Sequence, residues 1–229
     1  MAQDTIILSD GVAVGLQEAT SQSSVASSNI LSSIREMLDD TGEFYTDQDI
    51  NDAIQDGYDE VVAFSGCITK GATLALEANK TYYDLVTAIP DFLALIGIWN
   101  SSYKRWLSPV SYRELDSMRW DWECANANPY AFCPISYRKL AIFPTPTVVG
   151  TTLYVYYKAT AGAIAGGFEL PAELLGDVVE DYAVCDLFEQ QEEWTKAQIN
   201  FRNYQDKTVL LRRFLDKRDN ERLSRAGGN

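Results

Sequence analysis

Four carboxylates close to tryptophans are the residues of this sequence whose types and spacing could support catalysis. They are Glu114, Asp116, Asp121 and Glu123, beside Trp120 and Trp122. A glycan hydrolase needs two carboxyl groups about 5–10 Å apart across a cleft, and Asp121 and Glu123 are the best candidates for such a pair. The aromatic crowding, which also includes Trp99, Trp106 and Tyr130, could be a sugar-binding platform. It is more typical of a β-rich core or a subunit interface, which is the interpretation we favour.

Histidine is absent from the sequence. It is the commonest general base, the usual partner of a serine or cysteine nucleophile and the commonest metal ligand. Most hydrolase and transition-metal mechanisms therefore lack their central residue in this chain, and only carboxylate or lysine chemistry remains open. We accordingly predict that the protein is not an enzyme and has no catalytic residues, no metal site and no cofactor.

The composition is that of a globular protein made in a reducing compartment. The 229 residues are 46% hydrophobic and 12% aromatic, which is enough for one sizeable core or a core plus a smaller module. No apolar run approaches the ~18 residues needed to span a bilayer, and the N-terminus lacks the basic flank of a signal peptide. We therefore expect no membrane contact. The cysteines form no CxxC pair and are expected to be free, buried thiols. They are Cys67, Cys124, Cys133 and Cys185.

Two helices are predicted after a Ser- and Ala-rich segment, residues 1–27, that we expect to be a flexible arm. The first begins near Ser28 or Asn29, either of which could cap it, and its apolar stripe contains Ile30, Leu31, Ile34, Met37 and Leu38. The second is capped by Thr46. Its apolar face contains Ile50, Ala53, Ile54, Tyr58, Val61 and Val62. The opposite face carries Asp52, Asp56, Asp59 and Glu60, which the helical spacing places in solvent rather than in an acid–base site.

Residues 67–168 are predicted to form a β-rich insertion. The runs 73–77 and 81–85 flank a short turn and indicate a hairpin. Residues 91–99 form an apolar run whose spacing does not settle its secondary structure, and Ser108 or Ser111 could cap a short helix. Further strands are predicted at 135–143 and 151–159, on either side of a proline-marked loop.

The last third is predicted to be helical again, from Pro171 to the acidic run 189–193 and then from about 192 to 224. In the second of these helices, apolar or small residues recur at alternating spacings of three and four. This seam consists of Trp194, Ala197, Phe201, Tyr204, Thr208, Leu211 and Leu215. A heptad seam requires a helical partner along its length, so we predict an interface here. Beyond Leu215 the same spacing reaches Arg218 and Arg222, which leaves the last turns without an apolar stripe.

Charge is distributed unevenly along the chain. The net charge is −14, yet residues 202–225 contain eight basic residues against four acidic ones. An acidic surface argues against general binding of nucleic acid or anionic membranes. The basic end predicts one local, acidic partner.

The order of these elements resembles that of tailed-bacteriophage head-to-tail connector (adaptor) proteins. Short stretches of similar sequence extend the resemblance over roughly residues 28–215. They run from Phe44 to Tyr58, Leu140 to Pro146, Leu153 to Lys158, Leu170 to Leu174, Tyr182 to Phe188 and Trp194 to Ala197. We therefore predict an α+β fold, in which a helical bundle carries an inserted β-rich module and a long C-terminal helix. The predicted parts are the arm 1–27, helical segments 28–66 and 169–215, the insertion 67–168 and a basic C-terminal arm 216–229.

The resemblance implies a structural virion protein, located at the head–tail neck and assembled in the host cytoplasm. Such a protein forms a homo-oligomeric ring, typically twelvefold, below the portal and extends the DNA channel toward the tail. Its partners would be other copies of itself, the portal protein, a downstream tail or nozzle protein, and packaged DNA that passes without sequence-specific binding. The basic residues expected to bind the portal are Arg212, Arg213, Lys217, Arg218, Arg222 and Arg225. Another neck or tail-completion protein and a tail-associated glycan hydrolase are the alternatives.

Overall fold

The computed structural model describes residues 5–7, 13–15, 27–40, 42, 44–118, 121–147, 152–164 and 172–226, with side chains at 29–40, 42, 44–117, 121–147, 152–164 and 175–217. The chain divides into a β unit, residues 1–18 and 69–159, and a helical unit, residues 19–68 and 160–229. The predicted α+β fold with a long C-terminal helix is confirmed. Within the predicted arm, strands β1 (Thr5–Ile7) and β2 (Ala13–Gly15) pair antiparallel. Most of that arm lies outside the described residues.

The helical unit begins with α1, Ser27–Leu38. Because the helix starts at Ser27, the predicted caps Ser28 and Asn29 lie inside it, and that prediction is wrong. Ile34 and the other residues at four-residue spacing are buried, but Met37 is 48% exposed. Met37 lies about 60° from the centre of the stripe at 3.6 residues per turn, so the buried face is narrower than predicted.

The second helix, α2, spans Asp47–Ser65 and is capped as predicted. The backbone N–H of Asp49 donates to the Thr46 hydroxyl at 3.2 Å, and the backbone N–H of Thr46 donates to the Asp49 carboxylate at 2.9 Å. This capping box satisfies two backbone donors reciprocally. The predicted apolar face is buried and the predicted acidic face is exposed. Gly66, with φ 58°, ends the helix in the left-handed conformation that glycine adopts without strain.

Two further helices, α5 (Ala172–Gln190) and α6 (Trp194–Ala226), complete the helical unit. The helix α5 is central, because it contacts α1, α2 and α6. Val179, Ala183 and Leu187 are completely buried, as a helix packed on several sides requires. Gly57 lets α2 approach α5 closely, since a Cβ at that position would lie 3.0 Å from the ring of Tyr182. Pro171, predicted in the first turn of α5, lies outside the described residues.

The β unit contains two four-stranded sheets. In the first, the antiparallel order is β3 (Thr69–Ala75), β10 (Thr152–Ala159), β5 (Phe92–Asn100) and β6 (Arg105–Trp106). In the second, the order is β4 (Tyr82–Asp84), β9 (Lys139–Phe143), β8 (Ala131–Pro134) and β7 (Ser108–Pro109), with β7 parallel to β8. The apolar run 91–99, left open by its spacing, is therefore essentially strand β5.

Two strand predictions in this unit are wrong. The predicted hairpin of residues 73–85 does not form, because β3 pairs with β10 in the first sheet and β4 pairs with β9 in the second. The predicted strand 135–143 begins only at Lys139, since residues 135–138 form the turn of a hairpin between β8 and β9. In the first case the pairing partner is decided by contacts that local alternation does not encode. The alternation predicted in β10 is confirmed, with Val155 buried and Tyr154 39% exposed.

Short helices fill the space between the strands of the β unit. They are α3 (Leu85–Ala88), α4 (Tyr112–Met118) and a 3₁₀ turn at Trp122–Cys124. Of the two predicted caps for α4, Ser111 is used: its hydroxyl accepts from the backbone N–H of Glu114 at 3.3 Å, and its own N–H donates to the Glu114 carboxylate at 2.7 Å. A buried cluster underlies α4 and the second sheet. It consists of Leu115, Trp122, Ala125, Ala131, Cys133, Ala141 and Phe143.

All four cysteines are free thiols, as predicted. Three are buried, but Cys124 is exposed, which corrects the expectation that every thiol lies in a core. Cys124 is the last residue of the 3₁₀ turn. In that turn the side chain of Trp122, rather than that of Cys124, is buried in the core. Burial, reinforced by the neighbouring Glu189 carboxylate, raises the pKa of the Cys185 thiol to about 11.

Candidate docking surface

The carboxylates nearest the tryptophans make hydrogen bonds that hold the β unit together. Glu114 caps α4, and hydrogen bonds from Ser111 lower the pKa of its carboxyl group. Asp116 accepts a hydrogen bond from the indole N–H of Trp122 at 2.8 Å. Glu123 accepts one from the hydroxyl of Tyr82, whose pKa is raised by burial and by this hydrogen bond. Three of the four candidate carboxylates therefore have structural roles, and Trp120 lies outside the described residues.

The crowded aromatic residues form two groups rather than one platform. On the first sheet, Trp106 packs against Trp99 and Tyr156, with ring centroids 5.5 Å and 5.2 Å away. In the other group, Trp122 is only 2% exposed. It packs edge-on against Tyr82, Tyr112 and Phe143. Trp122 is therefore core, as favoured from the sequence, whereas Trp106 remains 49% exposed.

In the described parts of the chain, cysteine, aspartate and glutamate side chains form no group of three that could hold a metal ion. Among the described helices, none combines the length and the apolar character needed to cross a bilayer.

The predicted seam of α6 packs largely within the chain. Ala197, Tyr204, Thr208, Leu211 and Leu215 are all at most 7% exposed, and the helices that α6 contacts are α5 and α2 of the same unit. The seam's helical partner is thus internal along most of its length. At its beginning, Trp194 and Phe201 remain 60% and 44% exposed.

Side-chain contacts fix α6 against α5. The rings of Tyr182 and Tyr204 meet edge-to-face at 5.2 Å. The ammonium group of Lys207 lies 2.5 Å from the carboxylate of Asp181, which is only 8% exposed in its side chain. The hydroxyl of Thr208 donates to the carbonyl of Tyr204 at 2.7 Å, which accounts for a polar residue in the seam. These contacts leave the opposite side of α6 uncovered within the helical unit.

This opposite side of α6, here called the α6 outer side, combines apolar and basic residues. Ile199, Leu210 and Phe214 are 58%, 61% and 52% exposed. At 3.6 residues per turn, positions 199, 210 and 214 fall on one side of the helix, together with Arg202, Arg213 and Lys217. Sequence reasoning found the basic residues but missed the apolar ones. The spacings of 11 and four residues, which bring a helix back to nearly the same direction, were the available signal.

The residues predicted to bind a portal lie on the second half of α6. Arg212, Arg213 and Lys217 are exposed. The guanidinium of Arg212 also lies over the ring of Phe64, 5.3 Å from its centroid. Helix α6 continues through Arg218, Arg222 and Arg225 to Ala226, but those three side chains lie outside the described residues. The structure thus places the six positions on one continuous helix.

Acidic charge is concentrated in the same helical unit. Residues 19–68 and 160–229 contain 23 acidic and 10 basic residues, a net charge of −13, whereas residues 69–159 carry +2. The exposed side of α2, here called the α2 outer face, carries Asp49, Asp52, Asp56, Asp59 and Glu60. The helical unit therefore exposes surfaces of opposite charge on two of its helices.

No curated protein matches the chain. A family model described as SU10 adaptor protein matches residues 27–227, from the first residue of α1 to beyond the end of α6. Because this match covers most of the chain and includes both units, the chain belongs to the SU10 adaptor protein family of phage head-to-tail adaptors.

Proposed function

We propose that this adaptor forms a homo-oligomeric ring, typically twelvefold, below the portal of a tailed phage and joins the head to the tail. Membership of the family makes the chain a structural component of the virion neck that interacts with portal and tail proteins. The ring, its position and its stoichiometry are the finer part of the proposal. Assembly in the host cytoplasm, followed by incorporation into the virion, is proposed with it.

The observation that carries this proposal is the surface of the second half of α6. The seam of that helix is already filled by α5 and α2, so exposed Arg213 and Lys217 are not needed to complete the helical unit. Fixing each residue of a helix costs about 1–2 kcal/mol in backbone entropy. A helix that continues through a polar, basic end is therefore best explained by a partner that orders it.

The partner proposed for this end of α6 is an acidic groove on the portal. The portal-binding residues are Arg212, Arg213, Lys217, Arg218, Arg222 and Arg225. Complementary charge favours rapid encounter and correct register. Since every copy in a ring docks at the same time, modest contacts in each subunit give a stable joint.

The acidic character of the chain fits the passage of DNA through such a ring. Affinity for DNA grows with each phosphate that a protein neutralises and falls with salt. A wall formed by subunits of net charge −14 repels phosphates, so that DNA slides without adhering. A downstream tail or nozzle protein would occupy the other opening of the ring.

Neutralising the six portal-binding residues with glutamine tests the docking step. We expect the variant to keep the circular dichroism spectrum of the wild type but to lose co-sedimentation with purified portal rings. A matched control changes three exposed basic residues of the β unit, Lys104→Gln, Arg113→Gln and Lys139→Gln. This control should bind the portal as the wild type does.

The same samples, viewed by electron microscopy, decide the role in the neck. A ring of wild-type protein capping the portal supports the proposal. Undiminished portal binding by the six-site variant would remove the role of α6. Binding to an assembled neck but not to the isolated portal would instead favour a tail-completion protein.

A further inference from the structure

We infer that neighbouring copies of this chain pack side by side around the ring, with the α6 outer side of one copy against the α2 outer face of the next. The inference rests on the proposed ring and names the two surfaces that would build it. Both surfaces belong to the helical unit, and both are exposed in a single copy.

The α2 outer face is a negative surface that its own helix does not neutralise. The sequence of α2 contains no lysine or arginine. Asp52, Asp56 and Glu60 follow one another at four-residue spacing, at which like charges on a helix repel. Asp49 accepts hydrogen bonds from Thr46 in the capping box, and Asp52 and Asp59 accept from the amides of Gln48 and Gln55 at 2.7 Å and 2.9 Å. Among the described residues, no ion pair involves this face. Repulsion of this kind is relieved when a cationic surface covers the face.

The α6 outer side has the complementary character. Arg202, Arg213 and Lys217 are exposed, and none forms an ion pair with another residue that the structure describes. Arg213 and Lys217 also belong to the portal-binding set, so the pairing of copies is tested at Arg202 and Leu210, which do not. By contrast, Lys207 on the flank of the helix is paired with Asp181. Asp206 is the acidic residue on the outer side, so the net charge there is positive.

Apolar residues on the α6 outer side allow more than a charge contact. Leu210 and Phe214 stand between the basic residues of the α6 outer side and are more than half exposed. Large apolar side chains in such positions are typical of the centre of an interface, with charges around them.

A second copy is the occupant that these observations favour. One copy carries both a basic and an acidic surface, and they lie on different helices. Contacts between two different surfaces of identical chains are heterologous, and repeating them generates a closed ring when the rotation closes. DNA is disfavoured as the occupant, because the helical unit around the α6 outer side has a net charge of −13.

Two charge-reversed variants and their mixture test the inference. Variant A carries Asp52→Lys, Asp56→Lys and Asp59→Lys, which give the α2 outer face a net charge of +1. Variant B carries Arg202→Glu and Leu210→Glu, which give the α6 outer side a net charge of −1. None of these residues belongs to the portal-binding set. Each variant alone places like charges at every junction and should lose the ring, by sedimentation velocity and by electron microscopy on portal rings. An equal mixture restores opposite charges at every junction, so rings of alternating A and B should form again.

The matched control changes an exposed basic and an exposed apolar residue of the β unit, Lys104→Glu and Ile96→Glu. It adds the same charges as variant B, and we expect it to assemble like the wild type. Thermal melting of every variant verifies that the fold is kept, which exposed positions should permit.

The outcomes separate this inference from the proposed function. If the wild type forms rings and variant A or variant B alone assembles equally well, the pairing of α6 with α2 is overturned and the proposed function stands. The pairing is likewise overturned if A and B fail to assemble when mixed, or if the control also loses its rings. Absence of wild-type rings, both free and on the portal, would overturn the proposed function and this inference together.

Discussion

The helical unit and the β unit build their cores and their surfaces from different residues. The helical unit is filled by aliphatic side chains such as Ile54 and Val179, and it exposes a large excess of acidic charge. The β unit has the aromatic pair Trp122 and Phe143 in its core, and its surface is nearly balanced in charge. Exposed Trp106 adds an apolar component to that surface.

This difference separates the kinds of recognition available to the two units. Surfaces with strong, opposite charges favour contacts whose register and partner are selected electrostatically. A nearly neutral surface with exposed aromatic rings favours burial of apolar area. An adaptor must bind several different partners at once, and two units of different character allow those contacts to be selected independently.

The largest loss of stability is expected from a substitution in the core of the β unit. Replacing Trp122 by alanine removes a side chain that is 2% exposed and packs on Phe143 and two tyrosines. Truncations of this kind cost about 3–5 kcal/mol of unfolding free energy. We expect Trp122→Ala to abolish hydrogen-exchange protection in β8 and β9 while α2 and α5 keep theirs.

A tryptophan of the same unit provides the control for this prediction. Trp106 is 49% exposed, so Trp106→Ala should cost less than half as much in a urea titration. Equal losses of unfolding free energy for the two variants would contradict the assignment of Trp122 as core and Trp106 as surface.

The sequence predicted the structure of the helical unit more completely than that of the β unit. In the helical unit, the cap at Thr46 and the apolar face of α2 follow from spacings of three and four residues, which are local. In the β unit, strand runs were recognised but their partners were not, because β3 pairs with a strand nearly 80 residues later. Alternation defines a strand and its faces, whereas the choice of sheet depends on contacts between distant segments.

The residues exposed on the candidate docking surface could be recognised from the sequence only in part, for a related reason. The basic residues of α6 stand out by charge alone, and the seam stands out by its heptad spacing. The spacing could not say whether the seam's partner belongs to the same chain, and the structure shows that α5 and α2 fill most of it. Ile199, Leu210 and Phe214 were missed because they are three residues spread over four turns, with polar positions between them.

A smaller effect is expected at the glycines of the helical unit, where the close approach of two helices decides whether a methyl group fits. A Cβ at Gly57 would lie 3.0 Å from Cδ1 of Tyr182 and 3.3 Å from the carbonyl oxygen of Val179. Gly176, in α5, has no heavy atom within 4 Å of the same position. Alanine in place of a helical glycine gains about 1 kcal/mol, while overpacking costs about 1–3 kcal/mol.

We therefore expect opposite signs for the two substitutions. Gly176→Ala should stabilise the protein by up to about 1 kcal/mol. Gly57→Ala should destabilise it by about 1 kcal/mol once the two opposing contributions are combined. Chemical denaturation followed by circular dichroism at 222 nm, the helical band, measures both. Stabilisation by Gly57→Ala would show that α2 and α5 can separate without cost.

The smallest effect on stability is expected at the two helix caps, one in each unit. Hydrogen bonds from Thr46 lower the pKa of Asp49 in α2, and hydrogen bonds from Ser111 lower the pKa of Glu114 in α4. A carboxyl group whose pKa is lower in the folded than in the unfolded protein stabilises the fold above its unfolded pKa. That stabilisation is lost as the pH falls through the folded pKa. Both caps therefore weaken on acidification below about pH 4, the ordinary range of these groups.

Removing the hydroxyl partners separates the caps from the rest of the acid response. Thr46→Ala should cost about 1 kcal/mol of unfolding free energy at neutral pH and raise the pKa of Asp49 toward its ordinary value, while Glu114 titrates unchanged. Ser111→Ala should do the reverse, with a loss confined to α4, because that helix has only seven residues. Carboxyl-carbon NMR titration of both variants resolves the two groups. If Asp49 titrated identically with and without the Thr46 hydroxyl, the capping box would not be the cause of its lowered pKa, and the start of α2 would have to be stabilised by the packing of Ile50 and Ile54 alone.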